Sequence, residues 1–240
     1  MIYKGSRTNY GETIGILMMD SHFPRIPGDI GNATTFSFPV RYEIVKGADI
    51  GNVVTSQSSE VLDRMIIAAK KLESEGVRAI TGSCGFLAIW QKEIAAEVSI
   101  PVFTSSLLQV PIAHTITGCK PVGVITALAK NLTDRHLQAV NASNIPVVVY
   151  GLDQAKEFNR TFTYNGETLD YDAVSNEVVE VVKDMLSNNP DIGSIVLECS
   201  NIPPYASRIS EMTGLPVFDL TTLVEFVHSA VIRQEFKGYL

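Results

Sequence analysis

The sequence predicts an α/β protein with parallel sheets, built as two similar halves, and three observations lead there. Short β-branched runs recur along the chain, each long enough for one buried strand. Between them lie longer segments with apolar residues at three- and four-residue spacing, the signature of helices with one face in a core. Strands alternating with helices imply parallel pairing through helical crossovers and a sheet covered on both faces. The third observation is internal repetition. Ile100-Pro101-Val102-Phe103 returns as Leu215-Pro216-Val217-Phe218, 115 residues later, and Cys84 and Cys199 stand at the same separation.

Taken in order, Ile14-Gly15-Ile16-Leu17-Met18 is the first predicted strand. The stretch 22–41 follows, where Pro24, Pro27, Pro39, Gly28 and Gly31 exclude a regular helix. It reads as a long shaped connection, either a wall of a pocket or a turn whose Phe residues cover the core. As a wall it would offer Asn32, Thr34, Thr35 and Arg41 to an anionic group. Val61, Leu62, Met65, Ile66, Ala69 and Leu72 predict a helix near 61–75, before a strand at Val77-Arg78-Ala79-Ile80. A helix over 86–97 and a strand at Pro101-Val102-Phe103 continue the first half. The strand Val122-Gly123-Val124-Ile125 echoes Ile14-Gly15-Ile16-Leu17 and opens the second. Pro146-Val147-Val148-Val149 is its next strand, and a decorated connection with a turn at Tyr164-Asn165-Gly166-Glu167 occupies 151–171. Val174, Val178, Val181, Val182 and Met185 predict a helix near 175–188, then come a strand at Ser194-Ile195-Val196-Leu197 and a helix over 203–212. The expected organisation is a first half over 1–118 and a second over 119–214. A C-terminal strand and helix over 215–240 are free to pack back on the first half.

Composition narrows the function. Hydrophobic residues at 45% against 19% charged fit a packed core and not a disordered chain. With 26 acidic and 19 basic side chains the net charge is −7, which argues against nucleic acid or an anionic membrane surface and leaves a small molecule as the expected partner. No run of eighteen apolar residues occurs, so a soluble, cytoplasmic protein is expected. Cys84, Cys119 and Cys199 form neither an even disulfide set nor a CxxC clip, and His22, His114, His136 and His228 form no ligand spacing, so no metal is expected. GxGxxG and GxxxxGK[ST] are both absent, which disfavours a nucleotide site.

In parallel sheets ligands bind beyond the carboxyl ends of the strands. Thr81-Gly82-Ser83-Cys84-Gly85-Phe86 follows one strand, and Glu198-Cys199-Ser200-Asn201 follows its counterpart. Each half therefore delivers a thiol toward a shared cleft, where helix starts would lower its pKa. Cys119 precedes a strand and reads as structural. Two thiols suit proton transfer at carbon, one taking the proton and the other returning it from the opposite face. Backbone amides after each cysteine can receive the developing negative charge, and Gly85 permits close approach. Ser83, Ser200, Asn201 and Thr126 are placed to hold polar groups of a ligand.

These junctions, the repeated half and the two Pro-Val-Phe segments resemble the aspartate/glutamate/hydantoin racemase superfamily over nearly the whole chain. The resemblance implies two flavodoxin-like halves related by pseudo-twofold symmetry with the active site in the cleft between them. It implies Cys84 and Cys199 as the acid/base pair, with Ser83, Gly85, Phe86, Thr126, Ser200 and Asn201 around the ligand and Asn32 offered from the first connection. It also implies no cofactor, pyridoxal phosphate included, and a homodimer or higher homo-oligomer. The expected activity is racemisation or epimerisation of an aspartate- or glutamate-like amino acid, a related small carboxylic acid or a hydantoin. The alternatives are decarboxylase or cis–trans isomerase chemistry of the same superfamily, or a catalytically inactive ligand-binding protein. Amino-acid racemases of the family commonly carry Cys-Asn-Thr and Gly-Cys-Thr where this chain has Cys84-Gly85-Phe86 and Glu198-Cys199-Ser200. The substitutions mark a divergent branch with fewer donors for an amino acid's carboxylate.

Overall fold

In the computed structural model, which describes residues 2–239, the apolar runs become eight parallel strands in two sheets. Strands β1 (Ile14–Met19), β2 (Val40–Val45), β3 (Ala79–Gly82) and β4 (Val102–Phe103) lie in the order β2-β1-β3-β4. Strands β5 (Val122–Thr126), β6 (Val147–Gly151), β7 (Ser194–Leu197) and β8 (Val217–Phe218) repeat it as β6-β5-β7-β8. Both match the opening of a flavodoxin-like winding. The register repeats as well: Gly15 lies opposite Ile80, and Gly123 opposite Ile195.

The helices are α1 (Ser59–Glu75), α2 (Gln91–Ala96), α3 (Val110–Ile116), α4 (Asp134–Ala139), α5 (Lys156–Phe158), α6 (Tyr171–Asn188), α7 (Ala206–Thr213) and α8 (Leu220–Val231). The long helix of each half settles on the first strand at a glycine. A Cβ on Gly15 would come within 3.0 Å of Leu72 on α1, and one on Gly123 within 2.5 Å of Met185 on α6. The missing side chain at each site is what lets helix and strand approach this closely.

Alternation along the strands sends apolar side chains to both faces, and each face has its own cover. Leu17, Met19 and Ile80 pack with Met65 and Leu72 of α1 and Ile94 of α2. On the opposite face Ile14, Ile16 and Ala79 meet Leu220, Leu223 and Val224 of α8. In the second sheet Ile125, Ile195 and Leu197 pack with Val178, Val182 and Met185 of α6 and Ile209 of α7. Its other face, Val122, Val124 and Val196, is covered by Val110 and Ala113 of α3. Each such fully buried aliphatic side chain contributes about 1.5–3 kcal/mol. The two halves thus exchange helices. Helix α3 lies before residue 118 yet covers the second sheet, while β8 pairs with β7 and α8 returns to the first sheet. Gln109 ties the two exchanged helices together, donating to the Asp219 carbonyl at 2.7 Å and accepting from the Thr222 hydroxyl at 3.1 Å.

Strand β2 is the element that hydrophobic runs did not announce. It is an edge strand whose residues 40–44 are only half-covered or exposed, so Val40, Tyr42 and Ile44 alternate with Arg41 and Glu43 and no apolar run forms. The connection before it contains one 3-10 turn, Ala33–Thr35. Among the described residues no helix is long and apolar enough to cross a membrane.

Helix α8 starts at a capping box, with the Asp219 carboxylate accepting from the Thr222 amide at 2.9 Å and the Thr221 hydroxyl at 2.7 Å. Replacing Asp219 with Ala removes the cap, and equilibrium urea unfolding should show a loss of about 1–2 kcal/mol. An unchanged midpoint would mean that α8 does not need its cap to cover the first sheet.

Candidate active site

The carboxyl ends of β3 and β7 meet at two serines. The Ser83 hydroxyl accepts from the Met19 amide at 2.8 Å, and the Ser200 hydroxyl donates to the Ser83 carbonyl at 2.6 Å across 117 residues of sequence. Cys84 leads, in extended conformation, into a 3-10 turn over Gly85–Trp90 that continues as α2. Cys199 leads toward a second turn, Pro203–Tyr205, that continues as α7. Both cysteines line one cavity of about 280 Å³ together with Ser83, Gly85, Phe86, Ser200 and Asn201.

The remaining walls come from the two long connections. Phe23 and Arg25 enter from the first, and Phe158, Phe162, Tyr164 and Asn165 from the second. The second connection carries α5 and a π turn over Asn159–Thr163. Asn165 sits in the left-handed region at φ 56° and accepts the His22 amide at 2.7 Å, joining the connections edge to edge. Phe23 meets Phe162 edge-on at 5.1 Å between ring centroids, and Phe158 lies 4.9 Å from Phe162. This gives the cavity an aromatic wall, with Ile50, Val54 and Leu128 extending its apolar lining.

A polar chain runs from that wall to the second cysteine. Arg25 lies over the Phe23 ring at 4.4 Å and pairs with Asp29 at 2.7 Å, and the other Asp29 oxygen accepts from the Asn201 amide group at 2.7 Å. Asn201 in turn presents its carbonyl oxygen to the Cys199 thiol, with sulfur and oxygen 3.6 Å apart. Asp29 is 1% exposed, and its carboxylate is satisfied by Arg25, Asn201 and the Gly31 amide at 2.7 Å. Arg25 is the one cation among the cavity residues, whereas Asp20 and Asp49 bring carboxylates.

The expected lowering of the thiol pKa values does not occur. Burial pushes the Cys84 thiol up to about 12, and the Glu198 carboxylate pushes in the same direction. The Phe86 and Leu87 amides at the start of the 3-10 turn oppose this, as a helix start should, but they are outweighed. Cys199 is also pushed well above the ordinary thiol value, by burial first and then by Glu198, with Cys84 and Asp29 adding to it and the Asn201 amide opposing. Glu198 itself, fully buried, rises to about 7. Its Oε2 accepts from the Thr126 hydroxyl at 2.6 Å, while Oε1 has no partner.

Two residues expected beside a ligand lie elsewhere. Thr126 is buried behind the cavity wall, its hydroxyl committed to Glu198. Asn32 caps the Ala33–Thr35 turn by accepting from the Thr34 amide at 2.9 Å, and its amide group donates to the Arg25 carbonyl, so it shapes the connection and does not line the cavity. The other donors expected there are also spoken for. Thr34 bonds Asn32, Thr35 bonds the Asp29 carbonyl, and Arg41 pairs with Glu12 and Glu75. Conversely, sequence reasoning passed over Arg25, Asp29, Glu198 and the Phe23, Phe158 and Phe162 wall. Glu198 carried one readable signal, an acidic residue directly continuing the apolar strand Ser194-Ile195-Val196-Leu197.

Comparison with known proteins agrees with this architecture. The chain is 29% identical over 222 residues to a dimethylsulfoniopropionate lyase of Durusdinium sp. clade D, covering 89% of this chain and 73% of that one. It is 29% identical over 231 residues to dimethylsulfoniopropionate lyase 5 of Emiliania huxleyi, covering 90% of this chain but only 45% of the relative. Among solved structures, a mutant arylmalonate decarboxylase with associated sulfate superposes with a TM-score of 0.63 at 16% identity, over 95% of this chain and 97% of the other. Glutamate racemase isoform RacE1 of Bacillus anthracis gives 0.59 at 15% identity, over 92% and 83%. These two share the fold. The sequence pattern described as Asp/Glu/Hydantoin racemase matches residues 47–224, which include both cysteines and all strands from β3 to β8, and the chain belongs to that family.

Proposed function

We propose that this chain is a carbon-acid lyase: it removes the proton beside the carboxylate of a small acid, and the sulfonium group on the neighbouring carbon departs as a neutral thioether. The observation that carries the reading is the meeting of two thiols, one from each half, on a single, mainly apolar cavity. The curated relatives support lyase chemistry by their names, since dimethylsulfoniopropionate joins a carboxylate to a sulfonium cation.

Cys84 is assigned as the base. Its sulfur faces the Phe86 and Leu87 amides, which favour thiolate, whereas the Cys199 thiol donates toward Asn201 and is held as the acid partner. The Cys84 thiolate takes the α-hydrogen, and the C–H electron pair becomes the new C=C bond. The carbon–sulfur bond breaks with its electrons on sulfur, so a neutral thioether leaves and the thiol keeps the proton. Arg25 attracts the carboxylate end, and the aromatic wall, with Phe162 in it, offers ring surface to the cationic end. A racemase reading rests on the same pair: Cys199 would return a proton to the opposite face of the carbanion. The presence of both thiols on the cavity favours it; the apolar aromatic wall, poor in donors for an ammonium group, favours the lyase.

Three measurements test this. In heavy water with a β-sulfonium carboxylate, Cys84→Ser should lower turnover by about 10²–10⁴-fold. Cys199→Ser should retain deuterium exchange or elimination from one face. Loss of optical inversion alone, with no unsaturated acid formed by the parent enzyme, would favour the racemase instead. Because the base is active only when ionised and its pKa is raised, the fraction of thiolate grows with pH. The log of kcat/KM should therefore rise with pH, and a rate that falls as the pH climbs toward the ordinary thiol pKa of about 8.5 would contradict Cys84 as base. Phe162→Leu should raise KM for the sulfonium substrate about 3- to 30-fold, as loss of up to about 2 kcal/mol of cation–π attraction requires, and leave a neutral isostere unaffected.

A further inference from the structure

Glu198 plays no part in the steps above, yet the fold builds a place for it. It directly precedes Cys199, and its carbonyl and Oε1 occupy the space where a side chain at position 85 would lie. Any residue there but glycine would overlap them, so the carboxyl group is packed against the backbone next to Cys84. One acid group is thus wedged between the two cysteine turns. It is 0% exposed, Thr126 is the one donor to it, and Oε1 is left without a partner. An ionised carboxylate with an unsatisfied oxygen is costly in such surroundings, and a proton on that oxygen removes the cost.

The other groups facing this space are few. Strand β5 contributes the uncharged Thr126. The first connection contributes Arg25 and Asp29, whose charges act on Cys84 and Cys199 respectively but are paired with each other. Apart from Asp20 and Asp49 on the cavity wall, what remains is three acids, two thiols and one carboxyl, in one largely buried region. Neighbouring acids that share a site cannot all ionise, because the second negative charge meets the first at low dielectric.

Resting on the reading of the cysteines as the acid/base pair, we propose that Glu198 is a positioning residue that shares a single negative charge with both thiols, so that a thiolate forms on either sulfur when the carboxyl group carries the proton. Forming the thiolate breaks an S–H bond and making the acid closes an O–H bond, so the charge of the site stays constant. Catalytic readiness is then set by the carboxyl group and not by either cysteine alone. A cationic substrate arriving at the aromatic wall stabilises the charge wherever it sits.

The test reads cysteine ionisation without turnover. The full-length protein is alkylated with iodoacetamide over a pH series, and modification of Cys84 and Cys199 is followed by mass spectrometry. Glu198→Gln, which mimics the neutral acid, should move the Cys84 midpoint down by about one pH unit or more, and Glu198→Asp should keep the alkaline profile. A folded Glu198→Gln protein whose profile overlays the parent's overturns the proposal. Should that variant fail to fold, Thr126→Val decides. Without the hydroxyl donor the carboxyl group holds its proton more tightly, so Cys84 should alkylate faster near neutral pH, and an unchanged rate overturns the proposal. An unshifted profile with inactive cysteine variants would remove charge sharing alone. A shifted profile with fully active cysteine variants would remove the acid/base reading.

Discussion

The cleft depends on one hydrogen bond, from the Ser200 hydroxyl to the Ser83 carbonyl. It joins the carboxyl ends of two strands that belong to different sheets, across 117 of the chain's 240 residues. Because both atoms are buried, breaking it would leave an unpaired donor and acceptor, at about 1–3 kcal/mol for each group. Ser106 reinforces the seam by donating to the Leu197 carbonyl at 2.7 Å. With the strand ends held this way, the residue after Ser83 and the residue before Ser200 have little choice but to face the same cavity. Those residues are the two cysteines.

The electrostatic character of the site follows from how few charges it keeps. Arg25 and Asp29 neutralise one another, Asp20 and Asp49 bring the remaining carboxylates, and the rest of the wall is mainly aromatic and aliphatic. Burial and the neighbouring Glu198 raise the pKa of both thiols, which explains why helix-start amides, usually sufficient to lower it, fail to do so. A molecule carrying charges of both signs therefore meets a site able to answer each end locally, with little charge of its own to be displaced.

The alternation of strands and helices and the repeated half were readable because they rest on periodicity, which every buried strand and amphipathic helix must display. Cys84 and Cys199 were readable because both follow a strand at one fixed separation. Strand β2 was not, since Tyr42 and Ile44 alternate with Arg41 and Glu43 at an edge and never form an apolar run. Asn32 and Thr126 are absent from the cavity lining for a shared reason: position at a strand end or in a Gly-rich connection says that a polar group is near the site, not which neighbour takes its hydrogen bond. Thr126 is taken by Glu198 and Asn32 by its own turn. Arg25, Asp29 and the phenylalanine wall were hidden because their roles arise from contact between two distant connections, as in the bond from His22 to Asn165.

The exchange of α3 and α8 bears on how such a molecule can come into being. Either half, cut from the other, keeps its sheet but loses the helix that roofs one side of it, leaving valines and isoleucines bare to water. An ancestor encoding a single half would have needed a second copy to lend that roof, each monomer completing its twin. Joining the halves in one chain turns an association that dilution can undo into one that it cannot.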